Sequence, residues 1–301
     1  MEKIIVVVGA TGLQGRVVTA HLLAGGWRVR ALTRDPDSAS ARALAAAGAE
    51  LVRAEMGVLG SLVAAAEGAH GMFSVQPTVG SPGTPPDFTA EDEVRWGVNV
   101  AEAARAADIR HFVFASVAGA GRHDDEVLPR NVVSKWRIER HIARLGLPAT
   151  ILRPVSFMEN YTGGHHLREG TVTTAFEPDV PQQIMAVDDV GVFAALAFAH
   201  PDEWIGRAID LAGDEVTPRR IAEAIGAAIG RPVPYVHLPI ETIRQAGKEF
   251  AFAYEWLNTL GWRADISAAR RIHPGLMDLR TWLERTGAAQ IEAFFETRRD
   301  A

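Results

Sequence analysis

Seven residues near the start of the chain, Gly9-Ala10-Thr11-Gly12-Leu13-Gln14-Gly15, carry the strongest chemical signal in the sequence. They follow an unbroken apolar, β-branched run from Ile4 to Val8 and open a stretch with helical spacing at Val17, Val18, His21 and Leu22. In that context the glycines have distinct jobs. Gly9 lets the chain turn tightly, Gly12 lets the backbone approach a pyrophosphate, and Gly15 lets helix pack closely on strand. Thr11, Leu13 and Gln14 complete the loop, and the unpaired N–H groups of the helix start favour an anion. A ligand-free cluster of turn glycines is the competing reading, which the strand–loop–helix context outweighs. A second selector belongs at the end of the next strand: a carboxylate there binds the ribose 2′-hydroxyl of NAD, a cation the 2′-phosphate of NADP. The sequence places Thr33-Arg34 there, with Ser38 close behind to add a hydroxyl or an N–H. Arg34 can fork onto a phosphate, so NADP(H) is favoured over NAD(H); the bland alternative is an exposed loop arginine.

The elements that must position these residues alternate. Strands are predicted at Ile4 to Val8, Arg28 to Leu32, Ala49 to Ala54, Gly71 to Val75, His111 to Ser116 and Ala149 to Arg153. Helical stretches lie between them, at Val17 to Ala24, from Asp35-Pro36 to Ala47, Leu59 to Ala66, Glu91 to Ala107 and Val132 to Leu145. Asp35 reads as the cap of the second helix, with Pro36 in its first turn. Such alternation implies a doubly wound parallel sheet with right-handed crossovers, an α/β Rossmann fold. Beyond Pro154 the pattern breaks into Gly163-Gly164, Glu169-Gly170, Pro178 and Pro181 with short β-prone pieces such as Thr171 to Phe176, which reads as a smaller, mixed C-terminal substrate lobe. Residues 1–155 are thus expected to form the dinucleotide-binding domain, with strands near 184–212 returning to it, and residues 156–301 mainly the substrate or partner lobe. The aromatic-rich stretch Phe250, Phe252, Tyr254, Trp256 and Trp262 reads as core or dimer surface before pocket lining.

Several segments together resemble the NmrA-like family of atypical short-chain dehydrogenases/reductases: Val8 to Gly15, Thr33-Arg34-Asp35-Pro36, His111 to Ser116, and Leu152-Arg153-Pro154 running into Phe157-Met158-Glu159-Asn160. The likeness continues through Val187-Asp188-Asp189-Val190-Gly191, Leu211-Ala212-Gly213-Asp214 and Gly230-Arg231-Pro232-Val233, covering nearly the whole chain. It implies either an NAD(P)H-dependent reductase acting on a small electrophile such as a quinone or enone, or a redox-sensing regulator that binds the dinucleotide without turnover. Short-chain dehydrogenases use a Tyr, a Lys one helical turn later and a Ser after the preceding strand, the Tyr being the proton donor. Lys135 matches the lysine and Ser116 the serine, the two candidate catalytic residues, but Asn131 stands where the tyrosine would be. Lys135 is then left to bind ribose. By the same resemblance Glu55 and Met56 would lie beside the adenine, Gln76 and Pro77 against the cofactor, and Val155 and Phe157 over the nicotinamide. His165-His166 are read as exposed loop residues pointing apart, with no metal-ligand spacing around them.

The bulk numbers narrow the partners. The 301 residues contain no Cys, which removes thiolate nucleophiles, thiolate metal sites and disulfides and fits a reducing compartment. A formal net charge of −6 argues against a nucleic-acid partner, and no apolar run reaches membrane-spanning length. A cytoplasmic protein with a small-molecule substrate is expected, together with a second copy of the chain or, on the regulator reading, a protein partner whose surface responds as cofactor orders residues 78–92.

Overall fold

Alternation of strand and helix dominates the first half of the chain. The computed structural model describes residues 3–79, 84–119, 121–122, 127–163 and 165–299, so residues 80–83 of the expected 78–92 loop, and Gly164, lie outside the described residues. In chain order come strand β1 (Ile4–Val8), helix α1 (Leu13–Ala24), β2 (Arg28–Thr33), α2 (Ala39–Ala46), β3 (Glu50–Arg53) and α3 (Leu59–Ala66). Next are β4 (Gly71–Ser74), α4 (Ala90–Ala106), β5 (His111–Ala115), α5 (Arg130–Arg144) and β6 (Ala149–Pro154). They are followed by β7 (Ser156–Phe157), β8 (Leu167–Arg168), β9 (Thr171–Thr174), β10 (Gln182–Met185), α6 (Val187–Ala199), α7 (Pro201–Trp204) and β11 (Ala208–Leu211). The remainder includes β12 (Asp214–Val216), α8 (Pro218–Ala228), β13 (Tyr235–His237), α9 (Ile240–Ala246) and α10 (Lys248–Thr259).

Seven strands form one sheet in the order β11-β6-β5-β4-β1-β2-β3. Within it β1 pairs in parallel with both β2 and β4, and β5 in parallel with β4 and β6. A strand flanked on both sides and covered on both faces must be apolar throughout, which is why Ile5 to Val8 are all buried. From β1 the chain winds outward through β2 and β3; from β4 it winds the other way. The order therefore reverses between β1 and β4, and the crevice beyond their carboxyl ends is where a doubly wound sheet binds its ligand. Side chains such as Val6, Met72, Phe112, Phe114, Ile138 and Ile142 fill one core beneath that point. Helices α4 and α5 pack closely enough there that a Cβ on Gly97 would lie 2.4 Å from Ile138. Thr89 and Asp92 close a capping box at the start of α4, each accepting the other's backbone N–H.

The chain divides into two compact units, Met1–Glu126 with Arg130–Arg153 and Val190–Ile209, and Val127–Pro129 with Pro154–Asp189 and Asp210–Ala301. The second unit has two three-stranded sheets, β12-β10-β7 and β13-β9-β8, each combining a parallel and an antiparallel pair. Its core gathers Met158, Tyr161, Leu167, Ile184, Ile221 and Trp282. Of the aromatic-rich stretch, Trp256 is core, packed edge-on against Trp262, and Tyr254 packs on Phe176, while Phe250 is 55% exposed.

Two expectations need correction. Helix α2 begins at Ala39 with Ser38 as its cap, not at Asp35. Asp35 instead folds a turn upon itself: its carboxylate accepts the Asp37 N–H and its carbonyl accepts the Ser38 hydroxyl, so residues 35–38 are spent before the helix starts. The paired histidines do not point apart. Their rings lie 4.4 Å apart, and His166 is buried against Tyr161 and Phe176. Burial holds the His166 imidazole well below the usual histidine range.

Candidate functional site at the ends of β1 and β4

The glycine loop leaves β1 through Gly9, whose φ of +78° suits glycine and whose hydrogen atom replaces a Cβ that would sit 2.8 Å from the Val75 carbonyl oxygen. At Gly15 a Cβ would meet the Gly9 oxygen at 2.1 Å, so no larger residue lets α1 approach β1. Gly12 differs: its Cβ position touches only the Gly9 oxygen, at 3.3 Å, and otherwise faces open space. Gly12 also caps α1 with no side-chain hydrogen bond, which leaves the first-turn N–H groups uncapped by any side chain, as an anion at that end requires. Two side-chain oxygens nearby, Gln14 Oε1 and Gln76 Oε1, are buried without a hydrogen-bond partner. An open cradle and orphaned acceptors are features a dinucleotide fits.

The second strand end is tied directly to α5. Gln76, buried just beyond β4, donates from Nε2 to Ser74 Oγ at 2.8 Å, and its main-chain oxygen accepts from Lys135 Nζ at 2.8 Å. Lys135 is only 4% exposed. Its ammonium lies 2.8 Å from Glu93 Oε1, and Glu93 Oε2 accepts the Ser134 hydroxyl at 2.7 Å. Gly9 abuts Val75, Val75 precedes Gln76, and Gln76 holds Lys135, so a continuous chain of contacts links the loop to the lysine. Asn131, one turn earlier, is exposed, and its carbonyl oxygen lies 3.2 Å from Ser134 Oγ, the longer alternative to the bond with Glu93.

Ser116 sits beyond β5 and donates its hydroxyl to Glu139 Oε1. The same carboxylate takes two bonds from Arg153, at 3.1 and 2.6 Å. Ser116 has one hydroxyl proton and it goes to Glu139, so in this arrangement Ser116 can accept a hydrogen bond from a ligand but not donate one.

The residues expected around the adenine end occupy the ends of β2 and β3. Arg34 is exposed directly after β2. Ser38 Oγ caps α2, accepting from Ala41 N and donating to Asp35 O, and the Ser38 N–H also donates to Asp35 O, at 3.3 Å. Glu55 is exposed and its N–H is held by Ser61 Oγ; the Met56 carbonyl accepts from Asn99 Nδ2 at 2.9 Å. Pro77 is half-buried after Gln76. Thus Gly9 to Gly15, Arg34, Ser38, Glu55, Met56, Gln76, Pro77, Ser116 and Lys135 all belong to the first unit, whereas Val155 and Phe157 belong to the second. There Val155 is buried with its N–H on Leu211 O, and Phe157 is half-buried at the end of β7. Sequence reasoning missed Glu93, Glu139, Arg153 and Asn99, the residues that hold the expected ones. Among the described residues no three His, Asp or Glu converge on a metal position, and no helix is long and apolar enough to cross a membrane.

The family profile of the NmrA-like family matches residues 1–295. The chain belongs to the NmrA-like family. Among curated relatives, the NmrA-like family domain-containing oxidoreductase FrzB of Cladobotryum sp is 36% identical over 172 residues, spanning 54% of this NmrA-like chain and 48% of FrzB, about half that protein's length. Among solved structures, NmrA, a negative transcriptional regulator in complex with NADP, aligns with a TM-score of 0.77 at 22% identity, over 97% of this chain and 98% of that one. Triphenylmethane reductase of Citrobacter sp., complexed with NADP(H), aligns with a TM-score of 0.76 at 18% identity, over 97% and 99%. These two likenesses establish the shared Rossmann-like fold.

The NmrA-like chain also carries an enclosed carboxylate outside this site. Glu159 accepts the Val187 N–H on one oxygen and the Trp282 indole N–H on the other, both at 3.0 Å. Burial pushes its pKa up to about 7, against the pull of those two bonds. The folded state therefore holds a proton that the unfolded chain releases near pH 4.5, and this group's contribution to stability falls as pH rises from 4.5 through 7. His111, pushed down to about 4 by burial, works in the opposite sense, losing stability as pH falls below the ordinary histidine value. The two slopes overlap, so the difference between parent and Glu159→Gln is the clean readout. Urea midpoints from pH 4.5 to 8 should show the parent losing ~3 kcal/mol relative to the variant across that window; a parallel pair of profiles would show that Glu159 does not titrate there.

Proposed function

We propose that this protein is an NADPH-dependent reductase that transfers hydride to a small electrophile such as a quinone or an enone. The observation that carries the reading is the buried ammonium of Lys135, fixed on the Gln76 carbonyl within one chain of contacts from the open glycine cradle, with Asn131 in place of a phenol. NADPH supplies the hydride when bound. Gly9 to Gly15 hold its pyrophosphate, Arg34 its 2′-phosphate, Gln76 and Pro77 its flank, and Lys135 its nicotinamide-side ribose; Val155 and Phe157 are the proposed contacts on the ring. Hydride addition to a quinone or enone leaves a stabilised oxyanion, so the proton that completes the reduction comes from water and no strong protein acid is required. This fits both the missing tyrosine and a Ser116 whose proton is already given to Glu139.

Arg34 makes the cofactor preference testable. NADP(H) should bind the parent more tightly than NAD(H), and Arg34→Ala should lose roughly 10-fold or more of that advantage, the worth of one charge-assisted pair. Titration of both cofactors against both proteins decides it, and a preference unchanged in the variant removes Arg34 from the site. For the activity, NADPH oxidation followed by stopped flow against a panel of quinones and enones is the direct experiment. Tight NADPH binding with no turnover across the panel would support the second reading, a cofactor-sensing regulator, which the likeness to the NmrA regulator favours.

A further inference from the structure

We infer that Glu93 is a positioning residue of the cofactor site, one that aims Lys135 at a neutral ribose hydroxyl and not at a phosphate; the inference rests on the cofactor-binding reading above. Glu93 lies on α4 with 1% of its surface exposed, among the apolar residues with which that helix covers the sheet. Burying a carboxylate and an ammonium together is seldom cheaper than packing two apolar side chains, so the pair is better explained by what it orients than by what it stabilises. An ammonium has three donors. One goes to the Gln76 carbonyl at 2.8 Å, while Glu93 Oε1 holds the ammonium as an ion pair at 2.8 Å without hydrogen-bond alignment, so the two contacts fix where Nζ sits and leave its other donors for a ligand. Ser134 Oγ, bonded to Glu93 Oε2 at 2.7 Å, prevents the carboxylate from rotating away. The Phe114 ring, 6.0 Å from Nζ, closes another side. Charge completes the argument. With Glu93 in contact the pair is neutral, so Lys135 has little net charge to offer a phosphate and acts through its remaining N–H donors.

Two ligands separate this role from general damage: NADPH, and adenosine 2′,5′-bisphosphate, which has the adenosine half but lacks the nicotinamide ribose. Glu93→Gln should weaken NADPH about 10-fold at pH 7 while leaving the bisphosphate within about 2-fold of the parent. Ser134→Ala keeps the charge and removes only the orienting bond, so it should cost NADPH a smaller factor of about 3 and leave the bisphosphate unchanged. It also serves if Glu93→Gln does not fold. Equal weakening of both ligands, or NADPH binding unchanged in both variants, would overturn the positioning role. A parent that binds neither ligand would instead overturn the cofactor reading itself.

Discussion

Gly12→Val should reduce NADP(H) affinity by at least about 100-fold, close to 3 kcal/mol, while leaving a native circular dichroism spectrum. The backbone at Gly12 is extended, with φ −80° and ψ 176°, a conformation that suits a β-branched residue. The new Cβ meets only one atom, the Gly9 oxygen at 3.3 Å, which must give by a few tenths of an ångström. The rest of the valine projects into open space, where the proposed site would place the pyrophosphate. Gly15→Val is the contrasting case. Its Cβ would lie 2.1 Å from a backbone oxygen and 2.6 Å from the carbon that bears it, so helix and strand must separate and the protein should fail to fold. Two glycines three residues apart thus separate a ligand requirement from a packing requirement. Parent-like affinity in Gly12→Val would remove the loop from the binding site; a soluble, native Gly15→Val protein would show that α1 can relax in a way the packing does not suggest.

Lys135→Met is expected to destabilise the protein by roughly 3–5 kcal/mol, because it leaves the Glu93 carboxylate buried with no counter-charge. That is a large fraction of the ~5–15 kcal/mol that holds an ordinary domain together. The double variant Glu93→Gln/Lys135→Met removes the stranded charge, and it should recover more than half of the loss. Urea unfolding of the parent, both single variants and the double variant closes the cycle, and its coupling energy isolates the pair. A Lys135→Met protein within about 1 kcal/mol of the parent would mean that Glu93 is protonated or hydrated there, and the ion pair would lose its structural meaning.

The elements of the Rossmann sheet were legible because each carries its own period. Ile4–Val8 is too short for a helix and apolar throughout, and Leu59–Ala66 coincides with its expectation residue for residue. The start of α2 was misread because Asp35-Pro36 and Ser38 are both respectable helix openers, and only the turn that Asp35 makes with Asp37 and Ser38 decides between them. The glycine loop was legible for the same reason as the strands, since its meaning depends on immediate neighbours in sequence. The residues that support the site were not, because Glu93 meets Ser134 across 41 positions and Ser116 meets Glu139 across 23. A trace existed nonetheless. On α5 the buried stripe runs Ser134, Lys135, Ile138, Glu139, Ile142, and on α4 it runs Glu93, Gly97, Val100, Ala101, Ala104. A charged residue in phase with an apolar face is a buried charge, and buried charges are paired. Of the paired histidines, His165 is exposed as its glycine-rich setting suggests, whereas His166 is enclosed by Tyr161 and Phe176, aromatic residues five positions before it and ten after.

The edge strand β11 has a bearing on how this gene can be cut and recombined. It completes the seven-stranded sheet, yet it is synthesised only after residues 154–189 have intervened. A fragment ending after β6 would carry six strands of the seven and expose β6 as an unpaired edge, an invitation to edge-to-edge aggregation. No single contiguous piece of the gene therefore encodes the glycine-loop half of the protein. A chimera that exchanges the other half with a relative has to be joined near Arg153, Val190 and Ile209, and one crossover alone would mix the parentage of a single sheet.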